Sequence, residues 1–123
     1  MSDFEYLEGK VPGIPCATAV KTKTHVYISG TAVFQDESGH PITDVRIQTE
    51  KCLKEIEKVL SNWKLDRRDI AMMTVFVKGK ENFGGMNEAY KEFFGEIYPA
   101  RTACITELGH PDMLVEISGV ACF

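Results

Sequence analysis

The sequence lacks any apolar run approaching the roughly 20 residues that cross a bilayer. Its opening, Met1-Ser2-Asp3-Phe4-Glu5-Tyr6, is acidic, where a secretory leader carries a basic and then an apolar stretch. It also lacks the Arg-rich, acid-poor character of a transit segment, so a cytoplasmic protein with no membrane partner is expected. Positive charge is scarce: 14 Lys and Arg stand against 18 Asp and Glu, for a net charge of −4. Such a surface releases few phosphate counterions on binding, which argues against general nucleic-acid binding and leaves room only for a local basic pocket. The four cysteines, Cys16, Cys52, Cys104 and Cys122, show no C-x-x-C spacing and no histidine at a zinc-like offset. Cys52 falls on a helical pattern, and Cys104 and Cys122 on strand patterns, so buried, reduced thiols are expected. His25, His40 and His110 share no spacing, which leaves no metal site and no catalytic dyad to propose. No G-x-S-x-G surrounds Ser29, and there is no internal repeat or low-complexity tract.

What is present is one domain spanning residues 1–123. Hydrophobic residues make up 44% and charged residues 26%, proportions of a globular chain that exclude disorder. Ala17–Thr22 and His25–Gly30 flank the polar Lys21-Thr22-Lys23-Thr24 and read as a β-hairpin. Thr31–Phe34 extends the second strand past Gly30, where a glycine marks a bulge or a close approach to the backbone. Asp36–Pro41 is a surface loop. From Asp44 to Trp63 the period becomes helical: Ile47, Cys52, Leu53, Ile56, Val59, Leu60 and Trp63 form one stripe, with Thr43 or Asp44 as cap. Ile70–Lys78 is a strand whose nearly continuous apolar centre suggests cover on both faces. A second helix starts at Glu81 or Asn82, carries Phe83, Met86, Tyr90, Phe93, Phe94 and Ile97, and stops at Tyr98-Pro99. Arg101–Glu107 and Leu114–Phe123 close the chain as strands. The order β-β-α-β-α-β-β predicts an α+β fold, a mixed sheet with two helices packed on one face and strands in hairpin-like pairs. The other face has no helix left to cover it and calls for a second copy of the chain.

Several residues could carry chemistry. Arg101 follows a helix-ending proline at a strand start, and a guanidinium aimed by the backbone suits a carboxylate bidentately; from position alone, a solvated or surface-paired arginine is the commoner outcome. Glu116 interrupts an apolar strand. Alternation puts it with Leu114 and Ser118 on one face and Val115, Ile117 and Gly119 on the other, as either a solvent-facing charge or a functional acid. Gly30, between Ser29 and Thr31, either admits a ligand to the backbone or only shapes the sheet. Asn87 lies beside the apolar face of its helix, as a solvated residue or a ligand contact. Phe83, Tyr90, Phe93 and Phe94 read as core. Cys16 is expected to be an inert structural thiol, because no cation neighbours it in the sequence.

Taken together, Ala19-Val20, Val26-Tyr27-Ile28-Ser29-Gly30, Gln48-Thr49, Thr74–Val77, Asn82-Phe83, the N-x-x-Y-x-x-F-F helix from Asn87 to Phe94, Pro99-Ala100-Arg101-Thr102 and Leu114–Ile117 make a chain that resembles the Rid family (YjgF/YER057c/UK114) of reactive-intermediate imine deaminases. The resemblance implies a chorismate-mutase-like fold and a cytoplasmic homotrimer with ligand sites between subunits. It implies that Arg101 holds the carboxylate of a 2-imino acid and that Glu116 handles protons through an ordered water. Ser29, Gly30, Thr31, Cys16, Asn87 and Ala103 would line the pocket. The implied reaction is hydrolysis of 2-aminoacrylate-type enamines and imines to 2-oxo acids and ammonia, and it needs no metal or organic cofactor. The chain departs from the family pattern at Cys16, where the family carries a tyrosine, at Ala103, where it often carries a cysteine, and at Ser118, where it carries a second acid. Three alternatives stand beside this reading: a ligand-sensing or partner-binding trimer without turnover, a 2-aminomuconate-type deaminase suggested by Gly109-His110-Pro111 and the missing tyrosine, and the endoribonuclease or translation-inhibitor activity attached to some relatives. The acidic balance and the lack of a histidine pair argue against the last.

Overall fold

The structure, a computed structural model, describes residues 3–123. Eight principal elements follow in order: β1 (Glu5–Leu7), β2 (Ala19–Lys21), β3 (His25–Thr31), α1 (Val45–Leu60), β4 (Ile70–Val77), α2 (Phe83–Phe94), β5 (Ala100–Ile105) and β6 (Val115–Cys122). The strands form one six-stranded sheet in the order β1-β2-β3-β6-β4-β5. Among the described residues only β4 and β5 pair in parallel, and α2 supplies the crossover that a parallel pair requires. The mixed sheet and the first hairpin match expectation. The last two strands do not form a hairpin-like pair, because β6 inserts between β3 and β4 while β5 takes the outer edge. The short strand β1 is additional.

The helices show why the sequence pattern was nearly sufficient. Asp44 caps α1, its carboxylate accepting from the Arg46 N–H at 2.8 Å, and Cys52, Leu53, Ile56, Val59 and Leu60 enter the core. Ile47 leaves the expected stripe and is exposed, while Gln48 and Thr49 are buried in its stead. Burial of Gln48 is tolerated because its amide is satisfied. It donates to the Ile42 carbonyl at 2.7 Å and the Asp112 carbonyl at 2.9 Å, and accepts from the Leu114 N–H at 2.9 Å. That clasp fixes where β6, and so Glu116, begins. The second helix ends at Phe94, short of Tyr98-Pro99, because Gly95 takes φ 78°, a helix-terminating conformation that favours glycine. Ile97 therefore falls off the helix and is 84% exposed. At Gly85 a Cβ would lie 2.7 Å from Val45 Cγ1, so α1 and α2 cross where only glycine fits.

One sheet face, with Ile28, Met73, Val75, Val77, Val115, Ile117 and Ala121, is buried under the helices. The expectation that β4 is covered on both faces is corrected: Ala71 is exposed and Met72, Thr74 and Phe76 are only half-buried, since this chain offers nothing to pack on them. Strand register aligns Tyr6, Val20, Tyr27, Val120, Met72 and Ala100 across all six strands of that open face. A hydroxyl row of Ser118, Thr74 and Thr102 lies beside it, and then Glu116, Phe76 and Cys104. The thiols are free, but only Cys52 is buried. Cys16 and Cys104 are exposed and Cys122 is half-buried, because the strand positions of Cys104 and Cys122 put them on the open face. No helix among the described residues is long and apolar enough to cross a membrane.

Candidate functional site

The residues singled out from the sequence gather into two groups. The first surrounds Arg101. Its register partner Met73 points to the helix side, so Arg101 emerges at the sheet edge towards α2. There its Nη1 donates to Asn87 Oδ1 at 2.8 Å and approaches Met86 Sδ at 3.8 Å, and the guanidinium carbon stands 4.8 Å from the centre of the Tyr90 ring. A guanidinium carries donors only. The Asn87 amide oxygen must therefore face it, and the amide NH2 must face away. Asn87 is thus an orienting partner of Arg101. Ala103 lies on the same side of β5, half-buried against the core. A hollow of about 330 Å³ opens beside the guanidinium, lined by Asn87, Tyr90, Lys91, Tyr98, Pro99 and Arg101.

Charge sets this arginine apart. Arg46 pairs with Glu88 at 2.8 Å, Arg67 with Glu57 at 2.7 Å and Arg68 with Asp66 at 2.7 Å. The Arg67 fork holds the Glu57 carboxyl below its ordinary range, and the Arg68 side chain pulls Asp66 down to about 2. Among the described residues Arg101 has no carboxylate partner, although acids outnumber bases in the chain. Tyr90 beneath it is buried, its hydroxyl has no hydrogen-bond partner among the described residues, and burial pushes that phenol up to about 12.

The second group surrounds Glu116 on the open face. The register between β3 and β6 shifts between Ile28 and Thr31, so a bulge forms at Gly30. A Cβ on Gly30 would stand 2.8 Å from Glu116 Oε1. A side chain at that position would displace the carboxylate from where it lies. Ser29 Oγ donates to the Ala17 carbonyl at 2.6 Å, and Thr31 Oγ1 to the Ser29 carbonyl at 3.0 Å. Both hydroxyls are engaged by backbone and shape the bulge. The buried Cys52 thiol donates to the Thr31 carbonyl at 2.6 Å and braces the bulge from α1; burial pushes it up to about 12. Cys16 is exposed and precedes the Ala17 that Ser29 grips.

Arg101 and Glu116 are not brought together within one chain. They project from opposite faces, two strands apart, which is roughly 10 Å across the sheet, with a further three residues of offset along β5 between Arg101 and Cys104, the register neighbour of the Glu116 row. Sequence reading missed Tyr90, Lys91 and Tyr98 as neighbours of the arginine. Tyr90 was readable: it stands three residues after Asn87, a spacing that shares a helix face, although its aromatic ring spoke only for the core. No cluster of His, Cys, Asp and Glu able to hold a metal occurs among the described residues.

A sheet of this order with both helices on one side makes a small α+β protein, and its likeness to solved structures of one family is consistent with the chorismate-mutase-like fold. The profile described as Endoribonuclease L-PSP matches residues 13–123, and the chain belongs to that family, the YjgF/Rid family. A RutC family protein of Pyrococcus abyssi is 30% identical over 108 residues, covering 87% of this chain and 85% of the relative. The 3-aminoacrylate deaminase RutC of Acinetobacter baylyi is 32% identical over 117 residues, covering 93% of this chain and 92% of its own. The crystal structure of E. coli TdcF with bound serine superposes with a TM-score of 0.83 at 27% identity, covering 96% and 94% of the two chains. The family, and with it a general kinship to deaminases, is therefore established.

Proposed function

We propose that this protein hydrolyses small 2-imino acids and their enamine tautomers to 2-oxo acids and ammonia, at sites completed between copies of a homotrimer. The unpaired guanidinium of Arg101 carries the reading. In a chain with more acids than bases, an arginine oriented by a neutral amide and left without a carboxylate is suited to a carboxylate from outside. The bound serine of TdcF and the aminoacrylate substrate of RutC are both small amino-group-bearing carboxylic acids.

The chemistry asks for orientation and one proton carrier. Arg101 grips the substrate carboxylate and fixes the imine carbon in place. Water adds to that carbon, its lost proton passing to Glu116. Glu116 passes that proton on to the carbinolamine nitrogen, which leaves as ammonia, and the proton of the new hydroxyl goes through water to the departing ammonia, giving the 2-oxo acid and ammonium. Glu116 makes no ion pair among the described residues, which leaves it available for this role. Because Arg101 and Glu116 face opposite ways in one chain, a site containing both draws them from two copies. The apolar row from Tyr6 to Ala100 offers the surface on which a neighbour would sit.

The test adds the protein to an amino-acid oxidase reaction and follows release of 2-oxo acid. Wild type accelerates release. Arg101→Ala loses the acceleration by roughly 10- to 100-fold, the cost of a charge-assisted anchor. An unchanged rate in that variant refutes the reading. A second reading, ligand binding without turnover, is favoured by the engagement of Ser29 and Thr31 with backbone, and it predicts Arg101-dependent binding of 2-oxobutyrate with no acceleration.

A further inference from the structure

We infer that the hollow beside Arg101 is built for a substrate with a second acidic group: a dicarboxylic 2-imino acid, with its far carboxylate on Lys91. This deepens the proposed function and rests on it.

The hollow holds two cationic side chains, Arg101 and Lys91, and no acid. Lys91 forms no ion pair among the described residues, and Glu88, one turn before it on α2, is committed to Arg46 at 2.8 Å. Two further polar groups lining the hollow can donate. The Asn87 oxygen is taken by Arg101, so its NH2 is what remains to offer. The Tyr98 phenol lines the hollow as well and can also donate. A monocarboxylate answers the guanidinium and leaves the ammonium and these donors unanswered. A dianion answers both charges. Lys91 stands one helical turn after the Asn87 that orients Arg101, on the same face of α2.

Binding separates this inference from the reading beneath it. Calorimetry at low salt compares 2-oxoglutarate with 2-oxobutyrate on the full-length protein. The diacid is expected to bind about threefold to fivefold more tightly, the range for one solvent-exposed charge pair. The ratio should fall to near one in Lys91→Gln, return in Lys91→Arg, and persist in the control Lys51→Gln on the outer side of α1. It should also fall at 0.5 M salt. Equal binding of the two acids by wild type, or a preference that survives Lys91→Gln, overturns the inference and leaves the deaminase reading standing. Displacement of both acids alike by inorganic phosphate at matched ionic strength marks a generic anion hollow and also overturns it. Failure of both acids to bind at millimolar concentration removes both proposals.

Discussion

Replacing Asn87 by aspartate swaps one atom group for another of the same shape, yet it should damage the site more than deleting the side chain. In the wild type, Asn87 Oδ1 takes one donor of Arg101 at 2.8 Å and leaves the positive charge intact. In Asn87→Asp a carboxylate occupies that point. Two unit charges about 4 Å apart attract by about 1 kcal/mol in water and about 4 kcal/mol at an effective dielectric of 20. Arg101 is exposed, so the lower part of that range applies, about 1–2 kcal/mol, or roughly 5- to 30-fold in ligand affinity. Asn87→Ala removes only one hydrogen bond at an exposed group, about 0.5–1 kcal/mol, or roughly two- to fivefold. The assay is the Kd for 2-oxobutyrate by calorimetry together with the rate of 2-oxo acid release, at low and high salt. The aspartate variant should be the worse of the two, and salt should narrow the gap, because the competing attraction is screened. An aspartate variant equal to wild type, or an alanine variant weaker than the aspartate, refutes the claim that Arg101 works as an unpaired charge.

Three further outcomes follow from other parts of the molecule. Gly30→Ala places a Cβ 2.8 Å from Glu116 Oε1; the carboxylate swings aside, so the rate of 2-oxo acid release should drop while the melting temperature moves little. Gln48→Leu leaves the Leu114 N–H and two carbonyls unanswered in the interior and should cost about 2–4 kcal/mol in denaturant unfolding, a loss of less than 1 kcal/mol being incompatible with the clasp. The Glu57 carboxyl is held below its ordinary range chiefly by hydrogen bonding to Arg67. Its contribution to stability is therefore fully present above the unfolded value near 4.3 and is lost as pH falls through the lower folded value. The stability gap between wild type and Glu57→Gln should accordingly be constant at neutral pH and close below about pH 4; a gap that widens on acidification contradicts the pairing.

Much of this architecture can be read from residue order. The hairpin around Lys21–Thr24, the cap at Asp44, the bulge at Gly30 and the alternation that turns Glu116 away from Ile117 all follow from local chemistry, and the structure agrees with each. Illegible features are those decided by distant parts of the chain. Ile47 yields its expected burial to Gln48 because two loops and the start of β6 together satisfy an amide. The placement of β6 between β3 and β4 depends on pairing partners far away in sequence. Gly95 was a readable stop that the aromatic periodicity running on to Ile97 concealed. At the site, Arg101 stood out as a residue; its freedom from acids did not, because that freedom is a property of where Glu57, Asp66 and Glu88 happen to be engaged.

The opposed directions of Arg101 and Glu116 on a single sheet have a consequence for how such a protein fails. On the proposed reading, an isolated molecule owns two incomplete halves and no workplace. Dilution past the point of assembly then abolishes the reaction without unfolding anything. A blemish on the Tyr27–Val120–Met72 row would be as disabling as one at the anchor itself. Conversely, two crippled versions of the chain, one lacking the guanidinium and the other the carboxylate, still possess between them everything a working seam needs.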